Sequence, residues 1–209
     1  MALSTTSVNN FSSLLMDNLV VSFGLKINNS LVFESKISEE NQSQFLSQLI
    51  KESELEINYW NEQELVMKHI APILNFAHIK GENYNTFAER NLSAKVDDYL
   101  LSGTVDFMVA GGVYNPNSPY FFIQEYKRFK QGSESDPQAQ LLGEMLVAQK
   151  LNEDELVYGA YIVGRFWYFV VLQNREYSVS KPLDSVDLED LGVIMAKLNW
   201  IKKYVEEKY

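Results

Sequence analysis

Residues 104–129 read TVDFMVAGGVYNPNSPYFFIQEYKRF, and they predict two neighbouring β-strands with the turn that joins them. Apolar, aromatic and β-branched side chains dominate the two ends, which favours strands. The middle, residues 111–119, is dense in glycine, asparagine and proline. These residue types favour turns, because glycine and asparagine accept positive φ angles and proline presets a turn angle. We therefore predict a strand, a turn and a second strand that pairs beside the first.

Three charged side chains interrupt these apolar strands: Asp106 on the first, and Glu125 and Lys127 on the second. Residues two apart on a strand point to one face, so Glu125 and Lys127 share a face, and the turn brings Asp106 beside them. A charge among apolar neighbours is costly unless it is paired or bound to a metal. The pattern therefore predicts either a cation site or an ordinary cross-strand ion pair at a sheet surface.

Oxygen ligands of this kind suit magnesium. The carboxylates of Asp106 and Glu125 would hold one or two Mg²⁺ ions, with Mn²⁺ as a substitute, and the carbonyl of Tyr126 would be a further ligand. Lys127 would orient or deprotonate a water molecule, or stabilise the charge of a phosphate. These are groups that metal-assisted hydrolysis of a phosphodiester can use.

The flanking sequence predicts an α/β fold with a central mixed sheet flanked by helices. From Tyr59 onward the predicted order is helix, three strands, helix, two strands and helix. Asp136 and Pro137 are typical of a helix start, with aspartate as the N-cap and proline at the first helical position. Pro72 lies within the preceding helix and would kink or end it. The predicted helices span residues 39–56, 59–76, 137–151 and 187–208, and the predicted strands lie within residues 88–113, 119–129 and 157–173.

This arrangement resembles the PD-(D/E)XK nuclease superfamily, whose core is a helix, a three-stranded meander, a helix and a strand. Val105-Asp106 stands where that family has Pro-Asp, and Glu125-Tyr126-Lys127 stands for the (D/E)XK triplet. The resemblance covers about residues 60–173. Residues 87–109 are also similar to the N-terminal nuclease domain of type I restriction motor subunits. The resemblance implies a restriction-endonuclease-like core in which Asp106, Glu125 and Lys127 are catalytic.

The resemblance also implies helper residues on the two flanking helices. For a glutamate on the first helix, the helical wheel places Glu62 on the apolar side and Glu64 away from it, so Glu62 is the expected helper. The alternative is that Glu62 is solvated at the helix N-terminus, where a negative charge is stabilised. For a glutamine on the second helix, Gln138 fits the apolar side, whereas Gln140 fits the family pattern better, and both remain candidates.

The charge of the chain restricts where a polyanion would bind. The net charge is −10, from 18 basic and 28 acidic residues, and residues 34–64 alone carry −6. A negatively charged surface repels nucleic acid, so DNA would contact the side of Lys127, Arg128 and Lys130. The sequence favours a metal-dependent nuclease, with DNA as the expected substrate. The alternative functions are a non-catalytic protein–protein interaction module on an inactive nuclease-like fold, and an unrelated α/β domain.

Residues 1–56 are predicted as an N-terminal extension to a core at residues 57–209. Two β-rich runs around Asn28-Asn29-Ser30, within residues 19–37, predict a hairpin, and an acidic amphipathic helix follows it. We expect this extension to form a separate layer, or a contact with a protein partner or a second copy of the chain. We expect it to supply no catalytic group.

Two absences from the sequence exclude several classes of protein. The chain has no cysteine, which excludes a disulfide framework and a thiolate metal site. No apolar run approaches the 18 residues of a membrane span, and the first residues lack the basic region of a signal peptide. The sequence therefore favours a cytoplasmic protein without membrane association.

Overall fold

The computed structural model describes residues 3–30, 44–128 and 136–208, which form a mixed nine-stranded sheet flanked by helices. Three 3₁₀ or π-helical turns lie at Phe11–Ser13, Ile57–Tyr59 and Val66–Ile70. The helices are α1 (Met16–Phe23), α2 (Gln44–Ser53), α3 (Glu62–Leu65), α4 (Ala71–Ala77), α5 (Pro137–Asn152) and α6 (Leu188–Lys208). The strands are β1 (Asn9–Asn10), β2 (Lys26–Asn28), β3 (Tyr84–Val96), β4 (Tyr99–Gly111), β5 (Asn117–Lys127), β6 (Leu156–Val163), β7 (Phe166–Gln173), β8 (Glu176–Val179) and β9 (Leu183–Asp184).

The strands follow the order β1-β4-β5-β6-β7-β8-β2, with β3 also paired to β4 and β9 to β7. β3, β4 and β5 form an antiparallel meander, and α5 then crosses over to bring β6 parallel to β5. The predicted mixed sheet with flanking helices is therefore confirmed. The turn between β3 and β4 falls at Asp97-Asp98. Asp136 caps α5 by accepting a hydrogen bond from the Ala139 N–H, which is the cap that the sequence predicts.

Each face of the sheet carries its own hydrophobic core. The α5 core packs α1 and α5 on one face, and the α6 core packs α2, α3, α4 and α6 on the other. α5 is buried on nearly every side, since residues 139–148 are all buried. The reason is that Phe11 and Leu14 lie close against Gly143, and Phe11 also packs on Gly103 of β4, so this side of α5 is covered as well. Each such apolar side chain contributes about 1.5–3 kcal/mol on burial.

Along both β3 and β4, the alternation of core-facing and outward-facing side chains reverses at one point, which lies at Glu89 on β3 and at Asp106 on β4. On β4, Leu101 and Val105 pack into the α5 core, but beyond Asp106 the residues that do so are Met108 and Ala110. The matching reversal on β3 occurs near Glu89, whose φ of 50° lies in the left-handed region. Strand pairing skips Glu89 and Asp106, although the pairs on either side of them are in register. The irregularity therefore sets the direction of the Asp106 side chain.

The predicted hairpin within residues 19–37 is wrong. Leu19–Phe23 belongs to helix α1, because Leu19 and Phe23 are one turn apart and both bury into the α5 core. Of the described residues in this segment, only β2 forms a strand, and it pairs in parallel with β8. β1 likewise joins the sheet beside β4. The described part of the extension therefore adds two strands to the sheet, α1 to the α5 core and α2 to the α6 core, whereas residues 31–43 lie outside the described residues.

The helical segment before β3 begins later than predicted, at Glu62 instead of Tyr59. The Asn61 side chain caps it by accepting from the Glu64 N–H, and the Asn61 N–H donates to the Glu64 carboxylate, which completes a capping box. The π-helical turn at Val66–Ile70 comes just before Pro72. Proline provides no N–H for the regular helical ladder, so a wider turn here lets the helix continue into α4.

The buried side chain of His69 joins this helical segment to Ser53 and Ser185 by hydrogen bonds. Its Nδ1 is 3.0 Å from the Ser53 hydroxyl and its Nε2 is 2.8 Å from the Ser185 hydroxyl. Ser185 donates its proton to the Arg165 carbonyl, so it accepts from Nε2–H, and Nδ1 accepts from Ser53. The imidazole is thus held neutral, and burial lowers the pKa of His69 to about 4.

The buried His69 predicts a pH-dependent stability. The unfolded histidine has a pKa of 6.5, so it binds a proton between pH 6.5 and about 4 while the folded one does not. Stability from His69 is therefore complete above pH 6.5 and is lost as the pH falls towards 4. Wild type should have a higher free energy of unfolding than His69→Gln at pH 6.5. We expect this difference to shrink by roughly 3 kcal/mol as the pH falls from 6.5 to about 4. A constant difference in urea titrations at several pH values would contradict this.

Within the described ranges, no helix combines the length and the apolarity needed to cross a membrane.

Candidate functional site

The site lies where β4 and β5 stop pairing. The last paired residues are Phe107 and Gln124, and in the same register Asp106 would come next opposite Glu125. Asp106 and Glu125 do not form such a pair, and the Tyr126 N–H donates to Asp106 Oδ2 at 2.8 Å. The carboxylate therefore takes the place of a backbone carbonyl in the sheet. This fixes Asp106 against the strand that carries Glu125.

Glu125 and Lys127 share one face of β5, as the spacing predicts. Lys127 Nζ donates to Glu125 Oε1 at 2.6 Å and to the Tyr126 carbonyl at 2.9 Å. Glu125 is only 1% exposed, so this is an interior ion pair and not a contact at a sheet surface. The structure thus brings Asp106, Glu125 and Lys127 together, with the Tyr126 carbonyl among them.

Glu62 contacts this cluster and Glu64 does not. Glu62 Oε2 lies 3.8 Å from Lys127 Nζ, and its carboxylate accepts a hydrogen bond from the Arg128 N–H. Glu64 is occupied by the capping box and by an ion pair with Lys68. The helical wheel therefore selects the right residue. Glu62 is nevertheless half exposed, so it lies at the mouth of the site.

The electrostatics of the cluster favour a bound positive charge. Burial and the neighbouring Asp106 together raise the pKa of Glu125 to about 8, against the lowering effect of Lys127. Burial also raises the pKa of Asp106, although the Tyr126 N–H and Lys127 oppose the rise. For Lys127, burial alone would lower the pKa, but Glu125 and Asp106 outweigh it and the pKa rises. One lysine does not compensate two buried carboxylates, so a proton or a cation is needed between them.

Glu144 is a member of the cluster that the sequence analysis missed. It lies on α5, is fully buried, and its carboxyl contacts that of Glu125. Burial and the charges of Glu125 and Asp106 raise the pKa of Glu144 well above its usual value. Its only signal in the sequence is a glutamate inside an otherwise apolar stretch of helix, LLGEMLV.

The two glutamine candidates differ in their surroundings. Gln138 is partly buried and interacts with the hydroxyl of Tyr177 in the α5 core. Gln140 is buried, and it lies one helical turn before Glu144, so the two share a face of α5. Gln140 is therefore the one on the side of the cluster. Arg128 is exposed at the end of β5, while Lys130 lies outside the described residues.

A groove of about 790 Å³ opens onto Asp106 and Glu62. It runs between the helical segment of α3 and α4 and the middle of β3 and β4. Its walls are largely apolar, with Val66, Met67, Ala71, Leu74, Ala88 and Phe107. Its polar rim includes Gln63, Asn75 and Arg90. The cluster is thus reachable from solvent along a groove whose charged lining consists of Glu62, Glu89, Arg90 and Asp106.

No family model matches the chain. A search of curated proteins likewise finds no match. Among solved structures, the crystal structure of SSO0001 has 17% sequence identity and a TM-score of 0.26, covering 79% of this chain and 82% of the other. A TM-score of this size does not establish a shared fold, so the functional assignment rests on the geometry of the site.

The oxygen atoms of the cluster fit a hard cation such as Mg²⁺. Glu125 Oε2 is buried and receives no hydrogen bond from any described residue. Asp106 keeps one carboxylate oxygen beyond the one that accepts from Tyr126. Within the described ranges, no group of three or more His, Asp or Glu side chains is arranged so that it could hold a metal ion. Mg²⁺ is commonly bound through one or two carboxylates with several waters, which is the set that Asp106 and Glu125 offer.

Proposed function

We propose that this protein is a metal-dependent nuclease of the PD-(D/E)XK type, built on a restriction-endonuclease-like core. The observation that carries the proposal is the meeting of Asp106, Glu125 and Lys127 at the point where β4 and β5 separate. The order of helix, antiparallel meander, helix and parallel strand around them supports it.

Asp106 and Glu125 would hold Mg²⁺ or Mn²⁺, with the Tyr126 carbonyl as a further oxygen ligand. The cation supplies an activated water and neutralises charge on the phosphate. Lys127 Nζ already donates to Glu125 and to the Tyr126 carbonyl, so its position relative to the ligands is fixed. It orients the water through its remaining proton and stabilises charge that develops on the phosphate oxygens. Glu62 holds Lys127 from the side of the groove.

DNA is the proposed substrate, and it would approach along the groove. The groove leads to Asp106 and Glu62, and Arg128 lies exposed beside Lys127. The net charge of −10 restricts nucleic acid to this side of the molecule. We therefore expect cleavage to weaken steeply as the salt concentration rises.

The direct test is cleavage of labelled DNA with Mg²⁺, with Mn²⁺ and with excess chelator. We expect cleavage only when a divalent cation is present. In Asp106→Asn, which keeps the shape but loses the charge, the rate should fall by at least about 100-fold. Glu64→Gln is the matched control, because Glu64 is an exposed acid of the same helix outside the site. Cleavage that persists in chelator, or in Asp106→Asn, would contradict the proposal.

The second candidate function is a protein–protein interaction module on the same fold, without catalysis. Exposed apolar side chains near α2 and α3 favour it: Leu55 is 80% exposed, Tyr59 87% and Met67 69%. A partner protein or a second copy of the chain would cover them. A chain that neither binds cations nor cleaves nucleic acid, but self-associates in sedimentation experiments until Tyr59 is replaced by serine, would favour this function.

A further inference from the structure

Glu144 is the most deeply buried acid of the cluster, and no described residue donates a hydrogen bond to it. It is 0% exposed, and neither of its carboxylate oxygens receives a hydrogen bond from a described residue. Its carboxyl interacts with another carboxyl, that of Glu125. An unsatisfied buried acceptor costs about 1–3 kcal/mol, and more when it is charged. Among the described residues, both oxygens are therefore left able to bind a cation.

Two further buried oxygens without a hydrogen bond from the described residues lie on α5 and β5, the helix and strand that carry Glu144 and Glu125. Glu125 Oε2 on β5 and Gln140 Oε1 on α5 are buried and receive no hydrogen bond from the described residues. Gln140 and Glu144 share a helix face, and α5 packs directly on β5. All of these atoms are hard oxygen ligands, and none is a nitrogen or a sulfur. Such a set matches Mg²⁺ or Mn²⁺ and does not match a soft metal.

We propose that Glu144 is an additional ligand of the cation held by Glu125, so that the metal site extends from the strand ends to helix α5. The inference rests on the proposed function, because it adds a ligand to the same site. Asp106 and Glu144 each interact with Glu125, although the three side chains are not arranged to hold a metal ion as they stand. Binding of the cation would therefore draw the three carboxylates together. Glu125 would thus link the ligand on β4 with the ligand on α5.

A second role for Glu144 makes a different prediction. As a neutral acid, it would donate a hydrogen bond to Glu125 and only position it. Glutamine has nearly the same shape as a protonated glutamate and can donate the same hydrogen bond. Glu144→Gln therefore preserves the positioning role and removes the ligand role. This variant is also expected to fold, because it replaces a buried ionisable group with a neutral one of equal size.

The test is cation binding by the full chain, measured by titration calorimetry and by the electron paramagnetic resonance of free Mn²⁺. We compare wild type with Glu144→Gln, Glu125→Gln and the exposed control Glu52→Gln. We expect Glu144→Gln to bind Mn²⁺ at least about 10–100-fold more weakly, since even the loss of an outer-shell partner has an effect of that size. Glu125→Gln should lose binding, and Glu52→Gln should bind as wild type does.

Thermal unfolding gives a second readout that needs no activity. A ligand that binds only the folded state raises the unfolding temperature with its concentration. Mg²⁺ should therefore stabilise wild type, while Glu144→Gln should be more stable than wild type without metal and should gain less from Mg²⁺. If Glu144→Gln binds as wild type does while Glu125→Gln does not, the inference is overturned and the proposed function stands. If wild type binds no cation, both are overturned.

Discussion

Replacing Lys127 with alanine is expected to slow DNA cleavage by about 100- to 1,000-fold, the usual effect of removing one positioned donor that stabilises transition-state charge. Lys127 is the cation that the protein itself supplies to this site, and its Nζ donates to both Glu125 and the Tyr126 carbonyl. Without it, the developing charge on the phosphate has no fixed donor. Single-turnover rates at saturating Mg²⁺ measure the effect on the chemical step.

Two further substitutions test whether the effect depends on the ammonium group of Lys127 itself or only on the positive charge at the site. Lys127→Arg keeps the charge, but its planar guanidinium cannot reproduce the contacts of an ammonium group, so we expect little recovery of the rate. Arg128→Ala removes an exposed positive charge next to the site, and it should weaken DNA binding while leaving the single-turnover rate nearly unchanged. A Lys127→Ala rate within threefold of wild type would rule out this role for the lysine.

The protein without metal is expected to lose stability as the pH rises. Glu125 has a pKa of about 8 in the folded state and 4.5 as its ordinary value. Between these values the folded protein retains a proton that the unfolded chain has released. Stability from this group is therefore complete below pH 4.5 and is lost as the pH rises through 8, at about 1.4 kcal/mol for each pH unit.

The upper part of this range, towards pH 8, isolates this effect, because well above pH 6.5 His69 is neutral in both states. Denaturant titrations in chelator should show a falling unfolding free energy for wild type and a flatter profile for Glu125→Gln. Mg²⁺ should flatten the wild-type profile as well, since a bound cation replaces the proton. Glu64→Gln should follow wild type. A wild-type profile that is level in chelator would disprove the buried-carboxylate account.

The parts of the site that short-range patterns specify could be predicted from the sequence. The i, i+2 spacing places Glu125 and Lys127 on one face, and the helical wheel distinguishes Glu62 from Glu64. Both patterns depend only on the geometry of one strand or one helix. The assignment of these residues to catalysis and of Mg²⁺ to the site remains a prediction.

Features that depend on distant segments could not be predicted in this way. Leu19–Phe23 is rich in residues that favour strands, and it is helical because its apolar side packs into the α5 core. The role of Glu144 was missed because a glutamate within a helix is usually solvent-exposed. The part of α5 that carries Glu144 is buried on every side, because Phe11 and Leu14 pack against Gly143. The reversal at Glu89 and Asp106 likewise breaks the alternation on which strand prediction relies.

The pairing of β2 with β8 constrains how the chain folds during synthesis. Lys26 is paired with Glu176, a partner that leaves the ribosome 150 residues later. At about 5–20 residues per second, the wait is roughly 8–30 seconds, far longer than a helix needs to form. During that time Leu19, Phe23 and Leu25 have no core to enter, because most of the α5 core is still unmade. Burial of these three side chains therefore has to wait until the strands at the far end of the sheet have been synthesised.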